Sequence, residues 1–135
     1  MNWKNVIFYT VAGYLAITVA AIPFGLIRGR LHESGGDLSP VVQLVRTSVV
    51  AGSLLIVFAI QSYRRSSQAA AHVFSSALLF WGLPVLGNVV FRSIYPDQLI
   101  VGSLGVLTLA AIGWVLGRLF RSVLKPDVAA GSDAA

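Results

Sequence analysis

Four long stretches of this chain contain no charged residue and consist mostly of apolar residues. They cover residues 5–27, 47–63, 66–91 and 98–117. A helix needs roughly 17–25 apolar residues to cross a hydrocarbon layer about 30 Å thick, and each stretch is about that long. The pattern therefore predicts an all-α integral membrane protein, a bundle of four transmembrane helices in up-down-up-down order.

Capping and turn residues place the four predicted helices at about 5–27, 40–62, 69–91 and 98–120. Ser39 and Pro40 suit an N-cap followed by the first helical position, where the N–H that proline lacks has no helical acceptor. The four helices form one transmembrane domain over residues 1–125. The remaining residues, 126–135, are rich in Ala, Gly, Ser and Asp and are predicted to be a disordered tail.

The first predicted helix also has features of a secretory signal peptide, with Lys4 before the apolar run and small residues at Ala20 and Ala21. Its apolar run continues to Ile27, whereas the apolar region of a signal peptide usually has about 7–15 residues. We therefore expect this helix to be retained, and cleavage is the alternative.

The composition agrees with a membrane protein, because 56% of the 135 residues are hydrophobic and only 11% are charged. The mean hydropathy is +0.80. A net charge of +5 in a soluble protein would suggest nucleic-acid binding, but the basic residues lie at the predicted helix ends. Lys and Arg at those positions anchor and orient membrane helices. The lipid bilayer is therefore the expected partner, and no nucleic acid is expected.

The distribution of Lys and Arg predicts the orientation. If the N-terminus is cytoplasmic, its side of the membrane carries Lys4, Arg64, Arg65, Arg118, Arg121 and Lys125. The other side carries Arg28, Arg30 and Arg92. Because cytoplasmic segments carry the excess of basic residues, both termini are predicted to lie inside. The expected location is the cell (plasma or inner) membrane, as a multi-pass protein.

Arg46 is a charged residue within a predicted span. It follows Pro40 by about six residues, so its Cα lies roughly 9 Å along the helix. A charge in a span costs about 2.5–3.5 kcal/mol and often marks a functional site. Gln43 is one turn away on the same face, and Asn88 lies at comparable depth in the third helix. These three residues are a candidate polar cluster in the outer leaflet, suited to an anion, a lipid headgroup or a carboxylate.

A structural explanation of the same three residues stays open. The long Arg46 side chain reaches the membrane surface if it extends along the helix. An Asn such as Asn88 commonly forms a hydrogen bond to a neighbouring helix.

The third predicted helix contains Gly82 and Pro84 near its centre. Pro84 removes the hydrogen bond to the Phe80 carbonyl, and Gly82 offers little resistance to bending. We predict a kink within one turn of Pro84, with Trp81 filling the space beside it.

Small residues at four-residue spacing let helices approach each other closely. Two such pairs are Gly113 with Gly117 and Ser48 with Gly52. They are predicted to mediate helix packing, either within the bundle or between copies of the chain. On the first helix, Thr10, Tyr14 and Thr18 share a face and are predicted to form hydrogen bonds within the bundle.

The chain contains no cysteine, and none of the four charge-free stretches has a carboxylate for proton or cation coupling. The sequence has no HExxH motif, and no serine–histidine–acid set can be assembled from it. No catalytic, cofactor-binding or metal-binding residue is predicted, and the chain is not expected to be an enzyme.

Two functional hypotheses remain. The first is a non-catalytic accessory, assembly or regulatory subunit that packs against a membrane protein partner or against itself as a homo-oligomer. The second is a small oligomeric channel or carrier for an anion or lipid-like molecule that uses the polar cluster. Arg46 directed to water would favour the first hypothesis, whereas Arg46 and Asn88 lining a cavity would favour the second.

Overall fold

The computed structural model of this chain describes residues 2–33, 35–36, 38–64, 68–90 and 96–124, without the side chains of 88–90 and 96–99. These residues form the helices α1 (Trp3–Glu33), α2 (Pro40–Arg64), α3 (Ala69–Val90) and α4 (Pro96–Leu124). All four helices are long and apolar enough to cross a membrane. This confirms the prediction of four helices with the properties of membrane spans. The predicted tail, 126–135, lies outside the described residues.

The helix α1 extends to Glu33, beyond its predicted end near residue 27. The predicted end lies just before Arg28, the first charged residue after the apolar run. Charged residues limit the apolar part of a helix but do not interrupt its backbone hydrogen bonds. The stop is Gly35, which has a left-handed φ of +74°. The N–H of Gly35 donates to the His32 carbonyl at 3.1 Å, and the N–H of Gly36 donates to the Leu31 carbonyl at 2.9 Å. His32 therefore lies in the last turn of α1 and not in a loop.

The start of α2 agrees with the predicted cap. The Ser39 hydroxyl accepts a hydrogen bond from the Val42 N–H at 3.4 Å, and its carbonyl accepts one from the Gln43 N–H at 3.0 Å. Pro40 is the first helical residue, as the sequence predicts. The helix ends at Arg64, about two residues beyond the prediction, which is within the usual error of helix boundaries.

The core of the bundle is small and comes from α2, α3 and α4. Its buried members are Leu54, Phe58, Val73, Ala77, Phe80, Val106 and Ala110. Large apolar residues cover the outside of the helices, for example Leu44, which is 68% exposed, and Val101, which is 71% exposed. Such extensive exposed apolar surface is stable in a lipid environment and unfavourable in water.

Two glycines bring α4 against α2. A Cβ atom added to Gly113 would lie 2.6 Å from the Phe58 Cβ. A Cβ atom added to Gly117 would lie 2.6 Å from the Ser62 Cβ and would also contact the Ala59 carbonyl oxygen. Only glycine permits this approach, so this pair packs within the chain.

The same two helices leave more space nearer the start of α2. No atom lies within 4 Å of the Cβ positions of Gly52 and Gly105, and Ser48 is exposed. The Ser48 and Gly52 pair therefore makes no close helix contact within the described part of the chain. This difference along the α2–α4 pair leaves room for a cavity.

The helix α3 continues through Pro84 to Val90. Pro84 has no N–H that could donate to the Phe80 carbonyl. That carbonyl instead accepts a hydrogen bond from the Tyr14 hydroxyl at 2.5 Å. The two aromatic rings also contact each other, with centroids 4.5 Å apart. No atom lies within 4 Å of the Gly82 Cβ position, so Gly82 is not at a close helix contact. The bend of α3 stays a prediction.

Candidate functional site

A cavity of about 570 Å³ lies between the four helices, beside the core. This volume is within the roughly 300–1,000 Å³ that is usual for ligand pockets. The residues that line it are Ile17 from α1; Arg46, Thr47, Val50, Ala51 and Leu54 from α2; Phe80 and Trp81 from α3; and Gly102, Gly105, Val106 and Leu109 from α4. We call it the four-helix cavity. Its lining is mostly apolar, which suits a hydrocarbon tail more than water or an ion.

Arg46 is the charged residue among those that line the four-helix cavity. It also lines a second pocket, of about 480 Å³, between α1 and α2, together with Ile17 and Val50. Within the described part of the chain, no hydrogen-bond or ion-pair partner is found for its guanidinium group. Arg46 is itself exposed, so it places a positive charge at the open edge of a mostly apolar cavity.

Gln43 and Asn88 are the other two residues of the predicted polar cluster. The Gln43 side-chain amide donates to the Leu38 carbonyl at 3.0 Å and so stabilises the segment before α2. Gln43 does not line the four-helix cavity. The Asn88 side chain lies outside the described residues. A contact between Arg46 and Asn88 therefore stays a prediction.

Trp81 forms one wall of the four-helix cavity. Its indole N–H donates to the Ser103 hydroxyl at 2.7 Å, and its ring lies directly against Gly102. A Cβ atom on residue 102 would overlap the ring, so glycine is required at this contact. The sequence predicted a space-filling Trp81, and the structure adds that α4 holds the indole by this hydrogen bond.

A buried polar network, which the sequence analysis did not predict, connects α1, α2 and α3. Gln61 and Ser76 are completely buried, while 4% of His72 and 5% of Thr10 remain exposed. The Gln61 side-chain amide donates to the Ser76 hydroxyl at 2.8 Å and to the His72 carbonyl at 3.2 Å. The Ser76 hydroxyl in turn donates to the Val6 carbonyl of α1 at 3.3 Å, and the Thr10 hydroxyl donates to the same carbonyl at 2.8 Å. These bonds give donors partners where lipid offers none, whereas the Gln61 side-chain oxygen is buried and has no donor within the described part of the chain.

The two ring nitrogens of His72 have different roles in this network. Its Nε2 accepts a hydrogen bond from the Asn2 N–H at 3.2 Å, and its Nδ1 lies 2.9 Å from the Gln68 carbonyl oxygen. A neutral imidazole with the proton on Nδ1 satisfies both contacts. His72 therefore connects the start of α1 to the start of α3 and has a structural role.

Spacing within the spans was the signal for this network. His72 and Ser76 are four residues apart and share a face of α3, and Gln61 lies in a charge-free stretch. Polar residues on one face of a membrane helix need partners on a neighbouring helix. The predicted hydrogen bonds of α1 are partly confirmed, since Tyr14 bonds to α3, whereas Thr18 bonds to the Tyr14 carbonyl in its own helix.

The described residues contain few acidic or metal-binding side chains. No group of three or more His, Asp or Glu that could hold a metal ion is found among them. Glu33 is the one carboxylate among the described side chains, and it lies at the end of α1, away from the four-helix cavity. What the cavity lining can do is bind an apolar molecule and contact a negative charge.

The structure thus consists of four apolar helices around a cavity with a cation at its edge. No family model, curated protein or solved structure matches this chain. The features of the molecule that bear on function are the four-helix cavity, Arg46 and the surfaces of the helices.

Proposed function

We propose that this chain is a non-catalytic integral membrane protein that binds a lipid-like anion in the four-helix cavity. The ligand has an apolar tail and one negatively charged group. The observation that supports this function most directly is that Arg46 lines a cavity whose other walls are mostly apolar.

The apolar walls and Arg46 favour different parts of such a ligand. Burial of the tail contributes about 25 cal/mol per Å² of apolar surface. The planar guanidinium group donates two parallel hydrogen bonds to a carboxylate or phosphate. A bound anion also offsets the roughly 2.5–3.5 kcal/mol that a charge costs within a span. A neutral ligand would gain the burial of its tail, but it would neither accept these charge-assisted hydrogen bonds nor offset the Arg46 charge.

The proposal includes the topology of the chain in the membrane. The helices cross the cell membrane in up-down-up-down order with both termini in the cytoplasm, so Arg46 lies in the outer half. The distribution of basic residues supports this orientation. Two contacts support the order. Asn2, directly before α1, bonds to His72 near the start of α3, so these two helices run in the same direction. Ser62 near the end of α2 bonds to Trp114 in the second half of α4, so these two helices also share a direction.

Palmitate and its neutral methyl ester test the role of the charge. The purified protein in detergent should bind palmitate more tightly than the ester. We expect Arg46→Gln to weaken palmitate binding about tenfold, because a hydrogen bond to a charged group contributes roughly 1.5–3 kcal/mol. Binding of the ester should change little. Arg28→Gln is the matched control, because Arg28 is exposed on α1 and does not line the four-helix cavity.

A second variant tests the location. Gly105 lines the four-helix cavity, and no atom lies within 4 Å of its Cβ position. Gly105→Leu should therefore fill part of the cavity and weaken the binding of both ligands. Gly25→Leu on α1 is the control, because Gly25 also has open space but is outside the cavity lining. Unchanged binding in Gly105→Leu, or equal losses in Arg46→Gln and Arg28→Gln, would contradict the proposal.

A packing function is the second candidate, as an accessory subunit that binds a membrane protein partner or another copy of itself. It is favoured by the Ser48 and Gly52 pair, which is uncovered within the described chain. Because the chain has no cysteine, Ser48→Cys introduces a single thiol. Oxidation in membranes should give a crosslinked dimer if this face joins two copies. Leu15→Cys, at an exposed position of α1, is the control, and equal crosslinking of both variants would argue against a specific interface.

A further inference from the structure

A separate pocket lies between the start of α1 and the end of α2. It has a volume of about 490 Å³ and is lined by Asn5, Phe8, Tyr9 and Arg64. Arg64 is the last residue of α2, whereas Arg46 lies near its beginning, so this pocket and the four-helix cavity occupy different ends of α2. We call it the Arg64 pocket.

Three side chains bring hydrogen-bond donors to the Arg64 pocket. The Asn5 side-chain N–H₂ group is buried and has no acceptor within the described part of the chain. Among the same residues, no hydrogen-bond or ion-pair partner is found for the Arg64 guanidinium or for the Tyr9 hydroxyl. A buried donor without an acceptor is rare in native proteins and indicates a missing partner. A molecule that pairs with these three donors must therefore supply hydrogen-bond acceptors.

The charges around the Arg64 pocket favour an anion. Lys4 lies next to Asn5 in the first turns of α1, and the bond from Ser62 to Trp114 brings the end of α4, with Arg118 and Arg121, close to the end of α2. Glu33, which is the carboxylate among the described side chains, is at the other end of α1. The positive potential at this end is therefore not offset by a described acidic group.

We propose that the Arg64 pocket binds a phosphate oxyanion, either in a lipid headgroup or as free phosphate. Arg64 supplies a charge-assisted pair of hydrogen bonds, and Asn5 and Tyr9 donate to the remaining oxygens. The exposed ring of Phe8 contacts Tyr9 edge-on, with centroids 5.2 Å apart, and forms an apolar wall beside the anion. The site is independent of the ligand proposed for the four-helix cavity.

Short-chain phosphatidic acid, inorganic phosphate and short-chain phosphatidylcholine are the probes. Their binding to the full-length protein in a zwitterionic detergent is measured by titration calorimetry. Phosphatidic acid should bind, and Arg64→Gln should weaken its binding roughly ten- to a hundredfold. Arg121→Gln removes the same charge from the same end of the bundle without touching the pocket, so it should weaken binding much less than Arg64→Gln does.

Two further variants separate the pocket from general surface charge. Tyr9→Phe removes one hydroxyl and should weaken binding several-fold. Asn5→Leu removes the unpartnered donor, so it should weaken phosphatidic acid binding while thermal stability is kept or raised. Equal losses in Arg64→Gln and Arg121→Gln, or unchanged binding in both Arg64→Gln and Asn5→Leu, would overturn the proposal.

The probes also identify the source of the phosphate. Competition by millimolar inorganic phosphate would assign the site to the phosphate group itself. Binding of phosphatidic acid without such competition, and with weak binding of phosphatidylcholine, would assign it to an anionic lipid headgroup. Equal binding of phosphatidylcholine and phosphatidic acid would contradict recognition of the anion. Palmitate binding in Arg64→Gln should equal that of the unchanged protein, which separates this result from the test of the four-helix cavity.

Discussion

At the scale of single residues, hydrogen bonds between helices compensate for groups that a helix cannot satisfy itself. Pro84 deprives the Phe80 carbonyl of its helical donor, and the Tyr14 hydroxyl of α1 takes that place. The proline thus creates an acceptor, and the tyrosine pairs with it. This arrangement couples α1 to the middle of α3.

Tyr14→Phe tests this coupling. The substitution keeps the ring contact with Phe80 and removes only the donor, so it should lower the free energy of unfolding by roughly 0.5–2 kcal/mol. In a Pro84→Ala background, residue 84 has a backbone N–H that can donate to the Phe80 carbonyl. Tyr14→Phe should therefore lower the free energy of unfolding less in this background. Unfolding in mixed micelles measures both values, with Tyr63→Phe as the matched control. Equal costs in the two backgrounds would argue against the coupling.

At the scale of helices, glycine positions decide where two helices meet and where they leave space. Gly113 and Gly117 put α4 against the backbone of α2, and Gly102 admits the Trp81 ring. Gly52 and Gly105 face open space. Glycine therefore permits close helix contact at one end of the α2–α4 pair and leaves open space at the other end.

Gly117→Ala should separate α2 from α4, because the added methyl group overlaps the Ala59 carbonyl oxygen and lies 2.9 Å from the Tyr63 nitrogen. Overpacking of this kind costs about 1–3 kcal/mol of unfolding free energy. Gly29→Ala on exposed α1 meets no neighbour and should be neutral or stabilising by up to about 1 kcal/mol. Chemical unfolding of the two variants measures this difference. A similar loss in both would show that helix propensity and not packing decides the result.

At the scale of the whole molecule, the bundle has two different ends. Where α1 and α3 begin and α2 ends, the polar network of Gln61, His72 and Ser76 and the close glycine contacts hold the helices together. Nearer the start of α2, the four-helix cavity separates them. The two ends therefore differ in how closely the helices approach each other.

Reporter fusions test the orientation of these two ends. A fusion at Gly35, between α1 and α2, should report the outer side, and a fusion after Lys125 should report the cytoplasm. Alkaline phosphatase and green fluorescent protein give opposite signals on the two sides. A result that places both fusions on one side would contradict four crossings.

The candidate site was only partly predictable from the sequence. Arg46 was identified because a charge within an apolar stretch is visible in one dimension. Gln43 shares a helix face with Arg46, which predicts a common cluster, but the Gln43 amide bonds to the Leu38 carbonyl in the preceding segment. The partner of a flexible side chain depends on the segment that folds back beside it, which periodicity does not determine.

Three features can be predicted from the sequence: the four apolar helices, the cap at Ser39 and Pro40, and the Phe80 carbonyl that Pro84 leaves without a helical donor. These features follow from local hydropathy and backbone chemistry. Three contacts become known only from the folded bundle: Tyr14 donates to this carbonyl, Trp81 lies on Gly102, and Gln61 bonds to His72 and Ser76. Each of these contacts requires two helices to present particular faces at a particular depth. That rotation and depth are set by the packing of all four helices together, because each helix alone is apolar on nearly every side.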